Sequence, residues 1–148
     1  MTIRKATAED IPTLCSFRTQ QLIDEGIPQS NSIKEELVRY FKEWLNTDLF
    51  VEYVKEENGK LIASGAVIFF PFPPTFTNPK GVRGYITNMY TDPLYRGQGI
   101  ASEILKLLIE EAKSRGVSRL FLSASGYGRP VYEKQGFEPS GSWMELEI

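Results

Sequence analysis

The chain contains no histidine at all, and only one cysteine, Cys15. The first absence removes histidine-based triads, histidine metal sites and a histidine general base together. With a single cysteine no internal disulfide can form, which fits a reducing compartment, and a structural zinc site lacks its ligands. Long apolar runs are missing as well. The longest candidate, Ile62 to Phe70, contains Ser64 and Gly65 and falls far short of the roughly 20 apolar residues of a membrane span. The first residues include Arg4, Lys5, Glu9 and Asp10, which is no apolar signal-peptide core. Neither sign of charge dominates: 17 basic against 19 acidic side chains give a net charge of −2, so nucleic acid finds no basic footprint. The expectation is a cytoplasmic protein without a resident metal, and without nucleic acid or membrane as partners.

What is present suits one globular domain over residues 1–148. Hydrophobic residues make up 41% and charged residues 24%, ordinary values for a folded chain that buries about two-thirds of its unfolded surface. Thr2 to Ala6 alternates as a first strand. Thr7-Ala8-Glu9-Asp10 reads as a helix start with Thr7 as N-cap. Ile11, Leu14, Cys15, Arg18, Gln21 and Leu22 then follow a stripe at helical spacing, which ends near Gly26-Ile27-Pro28. A second helix is expected from Ser32 to Asn46, its face of Ile33, Leu37, Tyr40, Phe41, Trp44 and Leu45 turned to the core.

Leu49 to Val54 and Lys60 to Phe70 predict two strands joined through an Asn58-Gly59 turn. A proline-rich loop over 71–80 precedes a strand at Val82 to Thr91. Ile100, Ala101, Ile104, Leu105, Leu108 and Ala112 mark a further helix, closed by Arg115-Gly116. Val117 to Ala124 reads as a strand, Gly128 to Gln135 as a short helix, and Phe137 to Ile148 as containing the last strand or strands. The expected order is β-α-α-β-β-β-α-β-α-β, an α/β fold with a mixed sheet flanked by helices. The strand–helix–strand unit around Leu94 to Val117 should be a right-handed crossover.

Tyr95 to Glu103 reads Tyr-Arg-Gly-Gln-Gly-Ile-Ala-Ser-Glu, between a strand and the start of a helix. Gly97 and Gly99 allow a tight turn and a close backbone approach. The free N–H groups of the helix's first turn then offer an anion site. A Walker-type loop would need Lys-Ser or Lys-Thr after its second glycine, and Ile100-Ala101 stands there. A dinucleotide fingerprint would need a third glycine at Ser102 and an acidic residue beyond the next strand, which ends in Ser123-Ala124-Ser125. Both nucleotide readings fail on those residues. By itself, a glycine pair before a helix is equally a plain tight turn.

The segment Arg96-Gly-Gln-Gly-Ile-Ala101 resembles the Arg/Gln-x-x-Gly-x-Gly/Ala signature of the GNAT superfamily of acyl-CoA-dependent N-acyltransferases. A second block, Arg129-Pro-Val-Tyr-Glu-Lys-Gln-Gly-Phe137, is similar to the Tyr-Glu-Lys-x-Gly-Phe segment of that family, in the expected order. The resemblance implies a GNAT-like fold whose strands splay apart around the Gly-turn helix to admit the thioester end of acyl-CoA. It implies that the pyrophosphate is held by Arg96, Gly97, Gln98, Gly99, Ile100, Ala101 and Ser102. The pantetheine arm would lie along the main chain of Met89, Tyr90 and Thr91, and Ser125 would steady it where many members carry Asn. Gly128 replaces a common Ala. Arg96 could instead be an ordinary surface ion pair.

Tyr132 stands where the family commonly places its general acid, and an ordinary phenol stays protonated at neutral pH with an acidity near a thiol's. No acid lies on Tyr85 to Thr91, so the general base is unassigned. Asn88 there can orient water, and Asp24 and Glu25 either line the acceptor side or simply end a helix in solvent. The implied partners are acetyl-CoA and an amine of a small molecule or peptide, with the homodimer left open. The alternative is an acyl-CoA-binding module without turnover.

Overall fold

Alternating apolar residues in the strands and one-faced helices between them build a sheet covered on both sides. The computed structural model describes residues 2–148. Its elements are β1 (Thr2–Lys5), α1 (Ile11–Asp24), α2 (Lys34–Trp44), β2 (Phe50–Glu57), β3 (Lys60–Pro71), β4 (Val82–Thr91), α3 (Ile100–Ser114), β5 (Leu120–Phe121) and α4 (Arg129–Lys134). The strands form one sheet in sequential order, β1-β2-β3-β4-β5. Pairing is antiparallel from β1 through β4, and β4 and β5 run parallel. The β2–β3 turn has Asn58 at φ 50° and Gly59 at φ 76°, the left-handed pair that a two-residue hairpin of matching twist needs.

Two apolar clusters lie on opposite faces. On one, Leu14 and Cys15 of α1 and Phe41 of α2 pack on Phe50, Val54 and Ala66. On the other, Ile104, Leu105 and Leu108 of α3 pack on Val51, Ile62 and Val67. The register of β2 follows from this: Phe50, Glu52 and Val54 face α1 and α2, while Val51, Tyr53 and Lys55 face α3. The α3 side also carries a polar seam, in which Lys55 pairs with Glu103 at 2.5 Å and the Tyr53 hydroxyl donates to Glu111 at 3.3 Å. Before α1, a single 3-10 turn at Ala8–Asp10 has Thr7 as its N-cap, as expected, in a capping box with Asp10. The Thr7 backbone N–H donates to the Asp10 carboxylate at 2.7 Å. Hydrogen bonding from Arg4 holds that carboxyl below its ordinary range.

Two expectations about the C-terminal third are corrected. The strand expected over Val117 to Ala124 is only Leu120–Phe121, because β4 and β5 pair at Gly84–Leu120 and Tyr85–Phe121 and then part. The expected final strand is absent, so the element order ends at α4. Residues beyond Phe137 find only the short outer edge of a two-residue strand, too little for a ladder. Trp143 instead stacks on Phe121, ring centroids 5.6 Å apart and 13° between planes. Met144, Leu146 and Ile148 remain exposed.

Candidate functional site

The Gly-rich turn leaves β4 through a 3-10 turn at Pro93–Tyr95, in which Asp92 accepts the Leu94 N–H at 2.9 Å. Gly97 and Gly99 have φ of 76° and 79°, values that side-chain-bearing residues rarely adopt. A Cβ at either position would meet nothing within 4 Å, so the turn fronts open space. The first hydrogen bond of α3 runs from Glu103 N–H to the Gly99 carbonyl at 3.1 Å. Among the described residues, the backbone N–H groups from Gly97 to Ser102 therefore have no partner, while Ile100 anchors the turn in the core at 3% exposure. The only acidic residue of this first turn, Glu103, is neutralised by Lys55. A row of free donors, a helix dipole and a compensated carboxylate together fit a polyanion such as a pyrophosphate.

Arg96 does not reach across this cradle. Its guanidinium pairs with Asp24 at 3.2 Å, its Nε donates to the Thr91 carbonyl at 2.9 Å, and it sits against the rings of Tyr90 and Tyr127. The arginine thus ties the Gly turn to the end of α1. Its placement matches the ion-pair alternative.

β4 offers an open main-chain edge. Past Tyr85 it has no β5 partner, while its other edge pairs with β3 as far as Thr91. Met89, Tyr90 and Thr91 lie on that open stretch. The edge is bent by a bulge opposite Ser64 and Ala66, with Asn88 at φ 55°. A hollow of about 510 Å³ lies between β5, α4 and the C-terminal segment, lined by Tyr85, Leu122, Ser123, Tyr132, Phe137 and Trp143, among others.

Tyr132 projects from α4 into this hollow, its ring edge-on to Phe137 at 6.1 Å. Ser125 supports α4, its hydroxyl accepting the Gly128 N–H at 3.1 Å and keeping its own proton to donate. Gly128 lets the ring come close: a Cβ there would lie 3.0 Å from Tyr132 Cε2. Burial, and then the charges of Glu25 and Tyr85, push the Tyr132 phenol up to about 12. The phenol is therefore protonated at neutral pH and able to donate a hydrogen bond into the hollow.

Glu25, at the end of α1, and Tyr85 are near enough to Tyr132 to act on its charge. On the face of the sheet next to α1, the structure reveals a carboxyl that sequence reasoning missed. Glu52 of β2 is 2% exposed and accepts a hydrogen bond from Asn88 Nδ2 at 3.4 Å. It takes part in none of the ion pairs among the described residues. Burial pushes it up to about 8, against the opposing hydrogen bonds of Asn88 and Ser64 and the charge of Arg18. The available signal was an acid on the inward side of an alternating strand, between Phe50 and Val54.

A second hollow of about 520 Å³ lies beneath the α1–α2 connection, lined by residues including Leu22, Ile23, Ile27, Pro28 and Ile33. Thr19, Gln29, Ser30, Asn31, Ser32 and Lys34 complete a mixed lining, which includes none of the residues assigned above to cofactor or catalysis.

Comparison with known proteins gives a consistent result. The family described as "Acetyltransferase (GNAT) family" matches residues 18–137. Glucosamine 6-phosphate N-acetyltransferase of Trypanosoma brucei brucei is 28% identical over 96 residues, 65% of this chain and 63% of that protein. Thialysine N-epsilon-acetyltransferase of Bos taurus is 31% identical over 74 residues, 50% of this chain and 41% of that one. The chain thus spans less than two-thirds of the length of these curated relatives. A solved structure from Clostridium acetobutylicum, described as a predicted acetyltransferase with acetyl-CoA, is 50% identical, with a TM-score of 0.94 over 99% of this chain and 95% of that one. A GCN5-related N-acetyltransferase from Ralstonia eutropha JMP134 shares the fold at 23% identity, with a TM-score of 0.88 over 99% and 97% of the two chains.

Proposed function

Since the chain belongs to the GNAT acetyltransferase family, we propose that it is an acetyl-CoA-dependent N-acetyltransferase that acetylates a primary amine of a small molecule or peptide. The observation that carries the reading is the row of unpartnered backbone N–H groups from Gly97 to Ser102, facing open space beside the abandoned edge of β4. That combination suits a molecule with a pyrophosphate at one end and two amides along its arm. The fully covered solved relative described with acetyl-CoA supports the choice of cofactor.

In this reading the backbone of Gly97, Gln98, Gly99, Ile100, Ala101 and Ser102 holds the pyrophosphate, and the main chain of Met89, Tyr90 and Thr91 pairs with the arm as an added strand would. Ser125 keeps one proton for the arm and steadies α4. Tyr132 donates a hydrogen bond to the sulfur as the thiolate leaves, which lowers the barrier where charge develops. Arg96 closes the turn onto α1 through Asp24. Residues 1–148 act as one cytoplasmic domain, with acetyl-CoA and an amine as partners and a homodimer as the assembly to test for.

Thermal-shift comparison of acetyl-CoA, ATP and NAD, followed by free-CoA release across an amine panel, tests the reading. Stabilisation by acetyl-CoA alone, with thiol release on at least one amine, is the expected result. Stabilisation without release from any amine would replace the enzyme by an acyl-CoA-binding module. No selective stabilisation would remove the cofactor assignment.

A further inference from the structure

Glu52 is the residue for which the fold and the proposed transfer give no account so far. A buried carboxyl without a cation is costly to keep ionised, yet an inward-facing Met or Leu would have packed beside Phe50 and Val54 without that cost. The groups around it come from four elements. Cys15 and Arg18 approach from α1 and Tyr40 from α2, while Ser64 of β3 and Asn88 of β4 are neutral hydrogen-bonding neighbours. Arg18 acts on Glu52 by charge, and Glu52 in turn raises both Cys15 and Tyr40. Of these neighbours, the one on the bulged site strand is Asn88.

The Asn88 backbone is fixed at φ 55°, with its carbonyl accepting from Ser64 Oγ at 3.2 Å. The remaining freedom is in the side-chain amide. Its Nδ2 donates to Glu52 Oε2, and its Oδ1 accepts no hydrogen bond among the described residues. Asn88 shares its face of β4 with Tyr90, whose ring packs on Phe17 of α1 at 4.7 Å. Glu25, at the end of α1, acts by charge on Tyr132.

We propose that Glu52 is a positioning residue for the acceptor amine: its carboxylate draws Asn88 Nδ2 inward, so that Asn88 Oδ1 is presented to the acceptor side and accepts an N–H of the attacking amine. The inference rests on the acetyltransferase reading. An ionised carboxylate can only accept hydrogen bonds, which dictates this amide orientation, whereas a protonated one carries an O–H donor that competes for Oδ1. Protonation of Glu52 therefore turns the amide the wrong way, and the amine loses its guide. Because the carboxyl is pushed up to about 8, the guided state is present above that pH and is lost as pH falls through it. The chain has no histidine to titrate in the same window.

Two measurements test this. In the unliganded wild-type protein, NMR should show the Asn88 side-chain amide resonances moving with a midpoint that matches the titration of the Glu52 carboxyl carbon. In steady-state assays, the ratio of Glu52→Gln to wild-type turnover cancels the amine's own titration. Glutamine, like the protonated carboxyl, offers Asn88 Oδ1 a donor and does not titrate, so that ratio should lie well below one at pH 9 and rise roughly tenfold towards one at pH 7, with the acetyl-CoA dissociation constant unaltered.

A flat ratio, or an Asn88 amide indifferent to pH, would overturn the inference while leaving the acetyltransferase reading intact. Failure of the wild type to acetylate any amine would remove that reading, and the amine's guide with it. The NMR arm needs no variant, so a misfolded Glu52→Gln protein would not rescue the idea.

Discussion

β2 and β3 are held together along their whole length, Phe50 to Glu57 against Lys60 to Ile68, whereas β4 and β5 share two residue pairs and separate. The first pair is frame. Its inward side chains are almost wholly buried on both faces, and its ladder is interrupted only by a bulge at Lys55/Glu56. The second pair borders the proposed site. Where the ladder stops, β4 keeps unpaired main-chain groups, and the Gly turn that follows β4 carries its own free N–H groups. In the proposed reading, binding surface arises from backbone pairing withheld, and it depends on the frame next door to hold the unpaired edge still.

Variants should separate these two regions. The largest effect belongs to the frame. Leu105→Ala in α3, at a position with 0% exposure, should cost about 2–5 kcal/mol of stability. Denaturant unfolding measures this, and a loss below about 1 kcal/mol would mean that α3 is not clamped to β2 and β3 as described.

Next comes Glu52, the buried carboxyl of the frame that has no ion-pair partner among the described residues. The native state retains the Glu52 proton between the ordinary carboxyl value of 4.5 and about 8, while the unfolded chain has released it. This contribution to stability is fully present below about 4.5 and is lost as pH rises towards 8. Wild-type stability should fall by on the order of 3 kcal/mol between pH 5 and 8, and Glu52→Gln should flatten that slope. Equal slopes in the two proteins would place the titration elsewhere.

On the site side, Tyr132→Phe keeps the ring and removes the donor. Turnover should drop by about 10²-fold, equivalent to about 2.7 kcal/mol of barrier, with acetyl-CoA affinity and melting temperature little changed. Wild-type kcat in a folded variant would dismiss the phenol from the reaction. The smallest of the four effects is on binding alone. Gly99→Val forces a branched side chain into φ 79° and into the open cradle, which should weaken acetyl-CoA by at least tenfold, about 1.4 kcal/mol. Calorimetry showing unchanged affinity would move the pyrophosphate away from this turn.

Much of the frame was legible before any coordinates. Asn58-Gly59 announced its hairpin, Val82 to Thr91 was read with both ends correct, and the stripe of Ile104, Leu105 and Leu108 marked the buried face of α3. Each rests on local chemistry: a left-handed turn, alternation, and helical spacing. The C-terminal third was read less well for a matching reason. Leu120 to Ala124 and Trp143 to Ile148 have strand-like composition, but a strand exists only where another strand lies beside it. β4 leaves β5 after Tyr85, and the tail finds no edge long enough to join.

The sequence by itself determined the glycine turn ahead of a helix start and the chemistry that is excluded. Gly97 and Gly99 dictate a turn with positive φ, the following helix start leaves its N–H groups free, and the absence of histidine rules out a whole class of bases. These are properties of consecutive residues or of composition, and they survive any packing. Only the tertiary structure decided that Arg96 would turn to Asp24, that burial would lift the Tyr132 phenol to about 12, and that Glu52 would meet Asn88 across two strands. Those outcomes depend on which groups lose water and which neighbours replace it, and residues far apart along the chain settle both only when the sheet closes around them.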